Sequence, residues 1–204
     1  MTIDAIDSAP RLTVELVPRM CWFSNVRDRV SRTDWDRMRS QVYEHAGSRC
    51  EVCGGRGSKH PVECHEVWEY AERTAVQRLV RMIALCPACH EVKHMGLAGI
   101  KGRGEIAAAH LAEVNGWTPQ VTARYIDQAF AMWEERSART WSLDVSALAA
   151  YGIDPRVIAE ANGTSAEDRS QRAAVATTEV RSCEVRVIPQ SELDSYIDHL
   201  MYEL

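Results

Sequence analysis

The sequence predicts an α+β protein, and three observations carry that prediction. Two Cys-x2-Cys pairs, Cys50/Cys53 and Cys86/Cys89, are separated by 32 residues. Between them, Val62–Tyr70 and Leu79–Leu85 are rich in β-branched, aromatic and aliphatic residues and read as two strands, with Leu79, Ile83 and Leu85 on one face of the second. On both sides of this unit the apolar residues recur at helical spacing.

Each element has its own local signal. Residues 1–17 read as a loose polar leader, and Val17–Asn25 brings aromatic residues that must wrap a core. Thr33 followed by Asp36 resembles a capping box for a first helix over 34–46, in which Trp35, Met38 and Val42 share a face before Gly47 stops it. Gly54 and Gly55 after Cys53 permit the positive φ of a metal knuckle. A helix beginning at Cys89 is expected to end near Gly96, ahead of a glycine-rich loop over 97–104. Glu105–Asn115 reads as a short helix, and Thr118-Pro119 caps a longer one through about Arg139, striped by Val121, Tyr125, Ala129 and Met132. Trp141–Gly152 closes the body. The resulting organisation is a wrapping segment and helix over 1–48, a zinc-stapled core over 49–104, a helical extension over 105–153, a linker over 161–178 and a strand-helix appendage over 179–204.

Composition narrows the function classes. With 46% hydrophobic and 26% charged residues the chain has an ordinary globular balance. No N-terminal apolar h-region and no run of eighteen apolar residues is present, so neither signal peptide nor membrane span is expected and the cytoplasm is the expected location. The net charge of −5 conceals an asymmetry: residues 1–104 carry 16 Lys+Arg against 13 Asp+Glu, residues 105–204 carry 8 against 16. A phosphate-binding face is therefore expected in the first half. The helix over 191–204, with Leu193, Tyr196, Ile197, Leu200, Met201 and Leu204 on one face, either packs back on the body or pairs with a protein partner or a second copy.

Paired thiols at this spacing, in a chain of seven cysteines, favour a structural four-cysteine Zn²⁺ site formed by Cys50, Cys53, Cys86 and Cys89. Cys21 and Cys64 read as packed thiols, and His45 and His110 as surface or satisfied core histidines. Within Cys86–His94, His90 and His94 are four apart, which places both rings on one helical face and leaves them free to grip a second metal.

The order knuckle, hairpin, helix is that of a treble-clef zinc finger. From about Cys50 to Gly96 the chain resembles the HNH endonuclease family, with its ββα-metal fold, in the subgroup stiffened by a zinc held by four cysteines. The looser likeness of Val17–Asn25 and Trp117–Gly152 is to parts found beside such domains in phage and bacterial HNH proteins. The resemblance implies a metal-dependent nuclease that hydrolyses phosphodiester bonds in DNA, in a bacterial cell or phage-infected host. It implies that His65, His90 and His94 hold a catalytic divalent ion, Mg²⁺ or alternatively Mn²⁺, Ni²⁺ or Zn²⁺. Where the family has a general-base histidine this chain has Glu66, and where it has an orienting asparagine it has Arg81. Glu66 can act as the base or as a further ligand, His60 can replace it as base, and Arg81 can stabilise a pentavalent phosphorus. Glu66 and Arg81 can equally form an ion pair across the hairpin, which leaves a catalytically inactive zinc-finger module that binds nucleic acid or a protein partner. Lys93, Lys101 and Arg103 stand where they could grip backbone phosphates.

Overall fold

Helix α1 (Arg32–His45) begins where Ser31, in extended conformation, accepts a hydrogen bond from the amide of Asp34 at 3.1 Å. The N-cap is thus Ser31 and not the Thr33/Asp36 pair, because Ser31 is the residue in extended conformation whose side chain takes the free amide of Asp34. The computed structural model describes residues 9–22 and 25–163. After α1 come strands β1 (Glu63–Ala71) and β2 (Val76–Leu85), helices α2 (Pro87–Lys93), α3 (Met95–Ile100), α4 (Gly104–Asn115) and α5 (Pro119–Ser137), strand β3 (Ser142–Asp144) and helix α6 (Pro155–Gly163). Short 3-10 turns cover Arg19–Cys21, Arg27–Arg29 and Ser146–Tyr151. The protein is mixed α+β with a small three-stranded sheet, order β1-β2-β3, among the described residues.

β1 and β2 are antiparallel, pairing Glu63 with Leu85 and His65 with Ile83, whereas β3 runs parallel to β2. Between Val67/Arg81 and Trp68/Leu79 the register slips by one residue, so Val80 is extra. This bulge corrects the expectation that Leu79, Ile83 and Leu85 share a face. Ile83 and Leu85 pack with the cysteine pairs, Val92 and Leu111, while Leu79 turns to the opposite core with Met38, Met82 and Leu148. The sheet therefore separates two apolar layers, and Val80 itself is 48% exposed.

Three further expectations change. Residues 9–17 are no loose leader: Leu12 is fully buried and Val14 nearly so, and Asn115 at the end of α4 clasps the segment by accepting from the Leu12 amide and donating to the Leu12 carbonyl. Buried apolar side chains of this kind contribute roughly 1.5–3 kcal/mol each, enough to hold an extended segment in place. The metal-bearing helix starts at Pro87, with proline in the first turn where its missing N–H costs nothing, and breaks at His94 (φ −96°, ψ 45°). The stretch expected as a glycine-rich loop then continues as α3 to Ile100. On α5, capped by Thr118 as expected, Val121 is buried but Met132 is 48% exposed, so the stripe does not run the whole length.

Helix α6 orders the first residues of the stretch expected as linker over 161–178. Ile158 and Ala161 enter the core, and Asn162 accepts a hydrogen bond from the amide of Val145 at 2.8 Å. The rest of that stretch, and the appendage over 179–204 with its helix at 191–204, lie outside the described residues. No helix among the described residues is long and apolar enough to cross a membrane.

Candidate metal centres and their cleft

Cys50 and Cys53 lie on the turn that follows α1, and Cys86 and Cys89 on the first turn of α2, and the four sulfurs lie within 4.8 Å of one another. Gly54, at φ +76°, lets the chain fold back so that its amide reaches the Cys50 carbonyl at 2.9 Å, and Gly55 donates its N–H to the Cys53 sulfur at 3.4 Å. Cys53 Sγ and Cys86 Sγ are 3.6 Å apart. A tetrahedral zinc with Zn–S of about 2.3 Å wants its sulfurs about 3.8 Å apart, so the cluster fits such a structural ion. Hydrogen bonding from Cys89, against the cost of burial, holds the Cys50 thiol down to about 4, while burial pushes Cys86 up to about 11.

His110 adds a partner that sequence reasoning assigned to the surface or core. Its Nε2 lies 3.2 Å from Cys89 Sγ, close enough for an imidazole N–H to donate to that sulfur. The available signal was periodicity: Ala107, His110, Leu111 and Val114 lie on one face of α4, the face that packs on the α2 layer.

The second cluster brings together His65 from β1, and His90 and His94 from either end of the same helical turn, with one ligand atom from each within 4.8 Å of the others. His90 Nε2 and His94 Nε2 are 3.1 Å apart. Each of two imidazoles has a carboxylate behind it. Glu63 Oε2 is 2.5 Å from His90 Nδ1, and Glu15 Oε2 is 3.2 Å from His65 Nε2. An ionised carboxylate can only accept, so Nδ1 of His90 and Nε2 of His65 carry the protons of these bonds, and the opposite nitrogens are the ones that face away from the carboxylates. Burial holds His65 below its usual value despite the Glu15 hydrogen bond, and burial together with the charges of His90 and His65 pushes His94 well below. Rings kept neutral in this way are ready to ligate.

Glu15 was not found from sequence because it lies 50 residues from His65 and 78 from Lys93. It also corrects the reading of Lys93 as a phosphate grip. The Lys93 ammonium is 5% exposed, ion-paired with Glu15 and hydrogen-bonded to Thr13 Oγ1 at 2.7 Å. Burial alone would raise the Glu15 carboxyl, but the His65 hydrogen bond and the Lys93 charge outweigh it and hold Glu15 below its usual value.

Glu66 and Arg81 do not pair. Strand alternation turns Glu66, opposite Met82, to the other side of β1 from His65, where Oε1 accepts from the Val26 amide at 2.6 Å. Arg81 pairs with Glu51 at 2.7 Å, and Glu51 also accepts from the Ala84 amide, so the arginine ties the knuckle to β2. Arg81 is not among the residues that line the cleft, whereas Glu66 borders it.

That cleft, about 580 Å³, opens directly onto the three histidines. Lys101, Arg103 and His60 line it, with Arg103 ion-paired to Glu91 at 2.5 Å. Cys64, also on its wall, is an inert thiol that burial pushes up to about 12. Comparison of the chain with protein-family models, with curated proteins and with solved structures finds no match.

Proposed function

We propose that this protein is a metal-dependent, HNH-like endonuclease that hydrolyses phosphodiester bonds in DNA, on a zinc-stapled ββα-metal variant of the treble clef. The observation that carries the reading is the convergence of His65, His90 and His94 on the floor of an open cleft, beside a separate four-cysteine cluster on the same helix. A structural site closes its ligand shell, and a catalytic one keeps a position open towards solvent.

Three imidazole ligands suit Zn²⁺, Ni²⁺ or Mn²⁺ better than Mg²⁺, which prefers oxygen ligands. When bound, such an ion would polarise the scissile phosphate and lower the pKa of water at that point. The residues of the chain do the rest. Glu63 and Glu15 hold two of the rings in the ligating tautomer. His60, exposed on the loop before β1 and lining the cleft, is the base we assign to the attacking water, because Glu66 is turned to the Val26 amide. Lys101 and Arg103 stand at the rim where phosphate charge enters. His90→Ala is expected to abolish plasmid nicking in Mn²⁺, Ni²⁺ or Mg²⁺ while the melting temperature of the zinc-loaded protein holds. Nicking by His90→Ala at the wild-type rate would remove the assignment.

One observation favours a second reading, a binding module without hydrolysis: the residues at both diverged family positions, Glu66 and Arg81, make structural contacts. Metal counting separates the two. One tightly held zinc per chain, with no second divalent site by calorimetry, would select the module.

A further inference from the structure

Part of the cleft is lined by residues 56–60 of the loop before β1 and by Arg27 at the start of the 3-10 turn Arg27–Arg29. The loop is pressed onto α2 at Gly57, where a Cβ would lie 2.6 Å from the Pro87 ring and 2.1 Å from the His60 carbonyl oxygen. Gly57 also donates its amide to Pro61 O at 3.0 Å, closing the loop on itself. The result is a fixed support that presents Arg56 and Lys59 to the cleft, which Arg27 also lines.

These three cations differ from two others near the cleft: Arg103, which also lines it, is ion-paired to Glu91, and Lys93, which does not line it, is buried against Glu15. Arg56 is anchored through a hydrogen bond to the Gly47 carbonyl at 2.8 Å, which positions the guanidinium without cancelling its charge. Neither it, Lys59 nor Arg27 forms an ion pair among the described residues. In a chain of net charge −5, such a concentration is not a by-product of a basic composition. A second hollow of about 290 Å³ over α1 shares Arg27 with the first, but there Arg32 and Arg39 are both paired to Asp36, and Asp28 and Glu63 line it too, so the basic character belongs to the first cleft. Three cations with no ion pair among the described residues, at separate points of that one cleft, suit a ligand with phosphates at intervals rather than a single phosphate.

We propose that Arg27, Arg56 and Lys59 form a phosphate track for a polynucleotide strand that crosses the histidine cluster, with Arg56 and Lys59 holding phosphates on one side of the reacting one. The proposal rests on the nuclease reading of the cleft and adds the residues that hold the strand beside the reacting phosphate.

The test is fluorescence anisotropy on the zinc-loaded full chain with no second metal added, using a labelled duplex of about 20 base pairs at about 50 to 200 mM KCl. Arg56→Ala/Lys59→Ala is expected to weaken binding about tenfold or more, and to lower the slope of log K against log [KCl] by about 2, since each lost phosphate contact removes about 0.9. Arg73→Ala/Arg124→Ala, two exposed arginines that line neither hollow, is expected to change neither quantity. Should the double variant lose its fold, Lys59→Glu at the exposed loop tip gives the same test with a larger charge change. Wild-type affinity and slope in the loop variants, an equal loss in the control, or no binding by the wild type would each overturn the track. A protein that nicks DNA yet ignores Arg56 and Lys59 overturns the track and keeps the hydrolase. One that loses binding as expected yet hydrolyses nothing keeps the track and removes the hydrolase.

Discussion

Replacing Glu15 with alanine strands the ammonium of Lys93 in the interior. Lys93 is 5% exposed, and without Glu15 the side-chain partner that remains to it among the described residues is the Thr13 hydroxyl. Breaking a buried ion pair from one side costs about 3–5 kcal/mol. The Glu15 side chain is 22% exposed, so water can reach the space it leaves, which puts the expected cost near the lower end, about 3 kcal/mol. For a domain of this size that corresponds to a fall in Tm of about 6–12 °C. Lys93→Met should cost less, because Glu15 keeps its bond to His65. Glu15→Leu/Lys93→Met removes both charges and should recover at least about 2 kcal/mol relative to the sum of the single changes. Urea unfolding followed by far-UV circular dichroism, with zinc in excess, measures all three. Single changes that cost under about 1 kcal/mol and add within about 0.5 kcal/mol would refute the reasoning, because the pair would then be screened by water and residues 9–17 would not be docked on α2.

Three other outcomes are expected. Gly57→Ala sets a Cβ against the His60 backbone oxygen and the Pro87 ring, neither of which can swing aside, so it should cost about 1–3 kcal/mol and weaken polynucleotide binding without changing zinc content; a neutral effect on the melt would contradict the close approach. Cys86→Ser should abolish the bound zinc measured by atomic absorption and, with it, the cooperative melt, since zinc binding in such sites is folding energy; an unchanged Tm would contradict the structural role. Stability should fall on acidification with the second site metal-free. His65 and His94 are held below the usual 6.5 and Glu15 below the usual 4.5. Depressed values mean that the unfolded chain takes up protons first, so the contributions are intact above about pH 6.5, decline as pH falls towards the folded values, and are joined by Glu15 below about pH 4.5. A urea midpoint that stays flat from about pH 7 to 5 would count against neutral buried rings.

The parts of this protein legible in its sequence are those whose signal is local. Cys50/Cys53 and Cys86/Cys89 announce themselves by spacing, and His90 and His94 by their separation of one helical turn. Thr118 and Pro119 mark a helix start because capping is a matter of three or four residues. The errors have the opposite character. The Val80 bulge cannot be read from β2 alone, since it depends on the register with β1. Lys93 resembles a free cation until Glu15, 78 positions earlier, is brought against it. Glu66 follows His65 directly, yet strand alternation sends the two to different sides, so adjacency in sequence misled where the fold has period two.

The clasp on residues 9–17 has a consequence for the order in which the chain assembles. Arg11 and Leu12 meet Asn115 only across 104 and 103 positions, and Glu15 meets Lys93 across 78. During synthesis at roughly 5–20 residues per second, residues 9–17 therefore wait several seconds for the helices that receive them. The histidine cluster acquires its Glu15 partner only at that late docking. The four cysteines, whose two pairs are separated by 32 residues, can come together before the histidine cluster gains its Glu15 support.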